Sequence, residues 1–168
     1  GWRSLTVNYS NFSRQPIYGI RFTDGGEIGE TQMEAASQVG RTAFEWTTSR
    51  YGRELFDPQP RDMAFSGLSV AASTTGGTLS VTIGTSGNAN LYTYDLVRGN
   101  NRKTESSNIS VSPWEDIEFP STITIPKNTQ FWVQLKPKSG TWYISAARRG
   151  QDIGLAGAWS QSHFQQFV

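Results

Sequence analysis

Few residues of this chain are equipped for acid–base or nucleophilic chemistry, and none falls into a catalytic spacing. There is no cysteine, which removes thiol nucleophiles, thiolate metal sites and disulfides together. His163 is the single histidine. It stands near the chain end, where a surface position is the ordinary reading of a lone imidazole. Asp95, Asp116, Glu118 and Asp152 are carboxylates of the kind a glycosidase pairs across a sugar bond. Nothing in the sequence fixes their separation, and Asp116 and Glu118, at i and i+2, match a solvated strand face. The reading is a non-enzyme, with no catalytic residue and no metal-ligand set. Asp24 and Asp152 lie in glycine-rich stretches that admit a structural calcium. No EF-hand-like spacing accompanies them, and no cofactor is expected.

The chemistry that remains is recognition. An aromatic ring packs on the C–H face of a sugar, while nearby amides, acids and guanidinium groups bond its hydroxyls. Trp114, Asp116, Glu118, Trp132, Gln134 and Tyr143 have that composition and are the candidate ligand-binding residues. The competing reading covers these aromatics with residues 1–60 or with a neighbouring subunit. Arg148 and Arg149, with Arg98, Arg102 and Lys103, suggest a basic rim for an acidic glycan. Scattered solubilising charge is the plainer reading of the same residues.

The candidates sit on strands, and alternation assigns their faces. In the stretch from Ile117 to Ile144, an inward Phe131, Val133 and Leu135 leave Trp132, Gln134 and Lys136 outward. An inward Ile117 and Phe119 place Trp114, Asp116 and Glu118 on the opposite face. Trp142 and Ile144 share one face and Tyr143 takes the other. Ile123 and Ile125 complete the expected core set, Pro126-Lys127-Asn128 is a turn, and Ser139-Gly140 is another.

Strand signals recur along the rest of the chain. Leu5, Val7 and Tyr9 alternate over 3–10, and Tyr18, Ile20 and Phe22 alternate again to suggest a hairpin. Residues 30–39 have helix-forming composition, with a Thr31–Glu34 capping box, so one short helix is expected there. A continuous helix to Arg50 is the alternative to a strand at Phe44 and Trp46. Tyr51 to Arg61 reads as a connector. Further strands are marked by Phe65, Leu68 and Val70, by Leu79, Val81 and Ile83, by residues 90–97, and by Ile109 and Val111. The loop from Arg98 to Asn108 is polar, with a composition that suggests mobility. After Arg148 the pattern fades, with a last strand suggested between Ile153 and Trp159. The expected organisation is an N-terminal piece (1–60) packed on the same domain as a module at 61–168.

Composition agrees. The chain has 168 residues, with 17 Gly, 6 Trp, 6 Tyr and 9 Phe. Many turns and many strand-forming aromatics, without alternating helices, indicate an all-β antiparallel β-sandwich, jelly-roll-like. A net charge of +1 offers no field for nucleic acid. No apolar run approaches the ~20 residues that span a bilayer, so no membrane insertion is expected. The chain opens at Gly1, and the expectation is a mature or excised piece of something longer.

The runs AFSGLSV, GTLSVTI, LYTYDLVRG and ISVSPWEDIEFPSTITIPKNTQFWVQLKPKSGTWYI, between Phe65 and Ile144, resemble the jelly-roll accessory and carbohydrate-binding modules of bacterial glycosidases and of phage tail fibres and tailspikes. The shared feature is an order of strands and turns over about half the chain. No binding residue transfers with it. The resemblance implies binding to a glycan or cell-surface polysaccharide, an extracellular or virion-surface location, and a homo-oligomeric, often trimeric, parent protein. The rival expectation is a structural or assembly domain whose outward aromatics form a subunit interface.

Overall fold

The computed structural model describes residues 16–18, 20–24, 32–34, 42–56, 58, 60, 62–104, 110–111, 114–148 and 162–167. Their strands are β1 (Pro16–Tyr18), β2 (Ile20–Asp24), β3 (Gln32–Glu34), β4 (Thr42–Trp46), β5 (Tyr51–Phe56), β6 (Met63–Thr74) and β7 (Gly77–Thr85). They continue with β8 (Tyr92–Arg98), β9 (Lys103–Thr104), β10 (Ser110–Val111), β11 (Trp114–Ile125), β12 (Phe131–Ser139), β13 (Trp142–Arg148) and β14 (Ser162–Phe167). All their pairings are antiparallel. No helix occurs among the described residues, so none of them forms a helix long and apolar enough to cross a membrane.

Two sheets dominate. A seven-stranded sheet runs β1-β13-β6-β2-β3, with β11 also paired to β6 and β4 to β13. A five-stranded sheet runs β14-β5-β12-β7-β8, and β9 pairs β10 separately. Alternation decides what each strand buries. β12 buries Phe131, Val133, Leu135 and Pro137 and leaves Trp132, Gln134 and Lys136 half-buried. β11 buries Ile117, Phe119 and Ile125, with Ile123 packed against the same core. These residues join Phe65, Leu68, Val70, Leu79, Val81, Ile83, Trp142 and Ile144 in one apolar cluster fed by both sheets. Phe65 of β6 meets Phe131 of β12 at 6.4 Å between ring centroids. Tyr92 of β8 meets the ring of Phe119 of β11 edge-on at 4.9 Å. Trp142 and Trp46 pair across β13 and β4, and both are buried.

Among the connections that carry the chain between the sheets, those from β6 to β7 and from β12 to β13 have turns that press together. Gly76 and Gly140 adopt φ of 138° and 77°, where a side chain is unfavourable. A Cβ on Gly140 would overlap the Gly76 carbonyl oxygen. Thr74 Oγ1 donates to the Thr141 carbonyl at 2.7 Å and accepts from Gly76 N at 3.0 Å. Trp142 Nε1 donates to the Ser139 carbonyl at 3.1 Å. At the next turn Asn128 takes φ 58°, a conformation asparagine tolerates, and Lys127 N donates to Asp62 Oδ1 at 2.8 Å.

Several expectations change. The short helix at 30–39 is not seen. Within that span Gln32–Glu34 is β3, paired with β2 through Arg21–Glu34, Phe22–Met33 and Thr23–Gln32. A one- or two-turn helix is marginal by itself, and the neighbouring strand satisfies the same backbone groups. The strand expected at Phe44 and Trp46 is present as Thr42–Trp46. The supposed connector opens with β5, which lies inside the five-stranded sheet between β14 and β12. Residues 114–125 form one strand, with a register shift between Glu118 and Ile123 around Pro120. The strands suggested at 3–10 and 153–159 lie outside the described residues, and the final strand described is β14.

Candidate functional site

β5, β12, β7 and β8 lie side by side, and their registers assemble three outward rows on the five-stranded sheet. Arg53 stands opposite Gln134, Gln134 opposite Thr82, and Thr82 opposite Thr93. The row is tied laterally. Arg53 Nε donates to Gln134 Oε1 at 2.9 Å. The Thr82 and Thr93 hydroxyls share a hydrogen bond at 3.1 Å, and Thr93 donates onward to Asn90. On one side lies the row Leu55–Trp132–Gly84. On the other, Lys136 stands opposite Ser80 and Ser80 opposite Asp95. Lys136 Nζ lies over the Tyr51 ring at 5.1 Å, and Lys138 forms an ion pair with Asp95 at 2.9 Å.

Trp132 is central to this face. Its indole rests where Gly84 has no side chain, and a Cβ there would fall 2.5 Å from Trp132 Nε1 and 2.6 Å from the Ala89 carbonyl oxygen. Nε1 is buried against this seat and has no hydrogen-bond partner among the described residues. The Arg53 guanidinium carbon lies 4.7 Å from the centroid of the indole, a cation–π distance. The ring therefore serves as a platform for an arginine, and its N–H is turned away from solvent.

Electrostatics follow burial. Burial lowers the Arg53 pKa from its ordinary value, and the neighbouring Tyr51 offsets part of this. Burial likewise raises the Tyr51 phenol, and Arg53 pulls it partway back. Glu54, between Arg53 and Leu55, pairs with Val133 on the core side of the sheet and is 0% exposed.

The remaining candidates stand elsewhere. Asp116 and Glu118 are exposed on β11 of the seven-stranded sheet. Asp116 accepts a short hydrogen bond from the Ser69 hydroxyl, and Glu118 stands opposite Gly67. Trp114 opens the same strand opposite Ala71, and its side chain lies outside what is described. Tyr143 is half-buried on β13, with the Arg102 guanidinium carbon 3.4 Å from its ring centroid. The structure thus brings Trp132 and Gln134 together and keeps Asp116, Glu118 and Tyr143 on the other sheet.

The loop after β8 is anchored at its start. Arg98 Nη2 lies 2.8 Å from Glu115 Oε2, and its Nε donates to the same oxygen at 2.9 Å. Asn101 Nδ2 donates to Glu115 Oε1 at 3.0 Å. Asn101 also exchanges bonds with Thr74 N and O at 2.7 and 3.0 Å. Residues 105–109 lie outside the described residues, as do Asp152 and Arg149. His163 is placed by its backbone alone, opposite Leu55. No group of three or more histidine, aspartate or glutamate residues suited to a metal occurs among the described residues.

Arg53 and Tyr51 are the residues that the sequence reading missed. The signal was the alternation Tyr51, Arg53, Leu55 against Gly52, Glu54, Phe56. A glycine and a buried glutamate at inward positions hide the period of two. Searches for similar proteins add no further guide: no protein-family model matches this chain, and no curated protein matches it.

Proposed function

We propose that this protein is a non-catalytic glycan-recognition module of a phage tail or secreted bacterial surface protein, built as a jelly-roll-like β-sandwich. The fold reading is supported by the single apolar cluster that both sheets feed. The observation that carries the functional reading is the polar row Arg53–Gln134–Thr82–Thr93 beside Trp132 on one sheet face. Guanidinium, amide and hydroxyl groups on one pleated surface match the donors and acceptors of a saccharide. β-Strands hold them in fixed register, which limits the entropy lost on binding. Weak single-site affinity would be raised by multivalency in an oligomeric parent. A broad glycan array probed with the folded protein tests the reading. Specific signals that fall at least tenfold for Gln134→Ala are expected, and a blank array contradicts it.

A second reading, subunit assembly, draws on a different place. β8 ends the five-stranded sheet and exposes Val97 at 63% and Tyr94 at 38%. Apolar side chains on an edge strand favour association. Light scattering that shows a stable oligomer, disrupted by Val97→Lys, supports this reading.

A further inference from the structure

The cations of the Trp132 face are already engaged. Arg53 donates to Gln134 and lies over the Trp132 ring, Lys136 lies over the Tyr51 ring, and both make further interactions besides. Lys138 meets Asp95 at 2.9 Å. Arg98 and Arg102, part of the basic rim that the sequence suggests, are held elsewhere, on Glu115 and on the Tyr143 ring. What this face has to spare is neutral hydrogen-bonding capacity, and the bonds already made fix its direction.

Gln134 accepts from Arg53 Nε through Oε1. Its Nε2 makes no bond among the described residues and keeps both donors. The single proton of the Thr93 hydroxyl goes to Asn90 Oδ1. The bond of 3.1 Å between the Thr82 and Thr93 hydroxyls is therefore donated by Thr82. That uses the one Thr82 proton and leaves its oxygen as an acceptor. Asn90, accepting through Oδ1, keeps the donors of Nδ2. Gln134 and Thr82 stand opposite each other on β12 and β7, on strands about 4.8 Å apart. Along the row the order is donor, acceptor, donor. Gln134 is half-buried, Asn90 exposed and Thr82 buried, so the acceptor is the recessed member of the three.

A sugar hydroxyl donates and accepts at once, so it suits a place where a donor and an acceptor adjoin. An ionised carboxylate or phosphate only accepts, and would set its oxygens against the Thr82 lone pair. We propose that the ligand of this face is a neutral, polyhydroxylated saccharide. One hydroxyl accepts from Gln134 Nε2 and donates to Thr82 Oγ1, and another accepts from Asn90 Nδ2. The proposal rests on the glycan-binding reading and narrows it to uncharged sugars.

The test is a titration of the folded protein with neutral hexosyl and N-acetylhexosaminyl oligosaccharides, each beside its C6-oxidised uronate counterpart. At least one neutral oligosaccharide is expected to bind, and its uronate counterpart more weakly. Raising salt from about 20 to 300 mM should change the neutral affinity by less than about twofold, since no charge pair is there to be screened. Gln134→Glu and Asn90→Asp keep the bonds from Arg53 and Thr93 and remove only the amide donors. Each should lower the affinity about tenfold. Thr82→Val should lower it as well, and Thr82→Ser should retain it. If Gln134→Glu fails to fold, Asn90→Asp and Thr82→Val decide. Equal or tighter binding of the uronate, or a larger loss on adding salt, overturns the neutral-ligand proposal while leaving glycan recognition standing. Unchanged affinity in Gln134→Glu or Asn90→Asp overturns it too, and absence of binding to every saccharide, neutral or acidic, overturns both readings.

Discussion

Tyr51 shows how a single side chain on this face couples to pH. Burial raises its phenol above the ordinary tyrosine value, against the pull of Arg53. Tyr92 is raised as well, by burial and by Tyr94. Both phenols are neutral at physiological pH in the folded and unfolded chain. The difference begins where an unfolded tyrosine ionises, near pH ~10. Above that point the folded state keeps protons that the unfolded state has released, so stability falls as pH rises towards the higher native values. The urea midpoint should therefore be lower at about pH 11 than at about pH 9. Tyr51→Phe should remove part of that fall. An identical alkaline decline in the variant contradicts the assignment to Tyr51. Trp132 carries the second lesson at this scale. Its type and outward parity were evident from alternation, but the arginine over its ring comes from a strand 79 residues away in sequence, and no local pattern reports such a neighbour.

At the scale of elements, the paired turns that join the sheets are the most constrained point. Gly140 has φ 77°, and a Cβ on it would overlap the Gly76 carbonyl oxygen. The left-handed conformation costs a non-glycine residue about 1–2 kcal/mol, and forced displacement of packed atoms typically adds about 1–3 kcal/mol. Gly140→Ala is expected to lower stability by at least about 2 kcal/mol, read from chemical denaturation. A loss below ~0.5 kcal/mol, the scale of an ordinary surface substitution, contradicts this. The alternating strands were legible because each has one apolar face: Leu79, Val81 and Ile83 in β7, Phe131, Val133 and Leu135 in β12, and Ile117 and Phe119 in β11 all lie in the core. β5 was not legible, because its inward set includes Gly52 and Glu54. β3 was missed because Glu34 and Met33 favour a helix locally while the β2 pairing decides the outcome. Pro120 is accommodated within β11 by the register shift between Glu118 and Ile123.

At the scale of the molecule, strands from both halves of the sequence build each large sheet: β1 and β4 pair with β13, and β5 pairs with β12. This interleaving explains why the candidate site was only partly readable. Trp132 and Gln134 belong together, as adjacency on one strand implied. Asp116 and Glu118 are nearby in sequence, yet β11 joins β6 while β12 joins β5 and β7, so the turn at 126–130 sends the two pairs to different sheets. Their partners on the face of β12 are instead Arg53, Thr82 and Thr93, brought in by register from β5, β7 and β8. The central claim is that this face recognises saccharide. Its most direct test is an NMR map of the isotope-labelled protein as an array-positive oligosaccharide is added. Shifts are predicted for the Arg53 and Gln134 side chains, the Trp132 indole and the amides of β5 and β12. Shifts confined to β11 around Asp116 and Glu118, or none anywhere, would contradict the account.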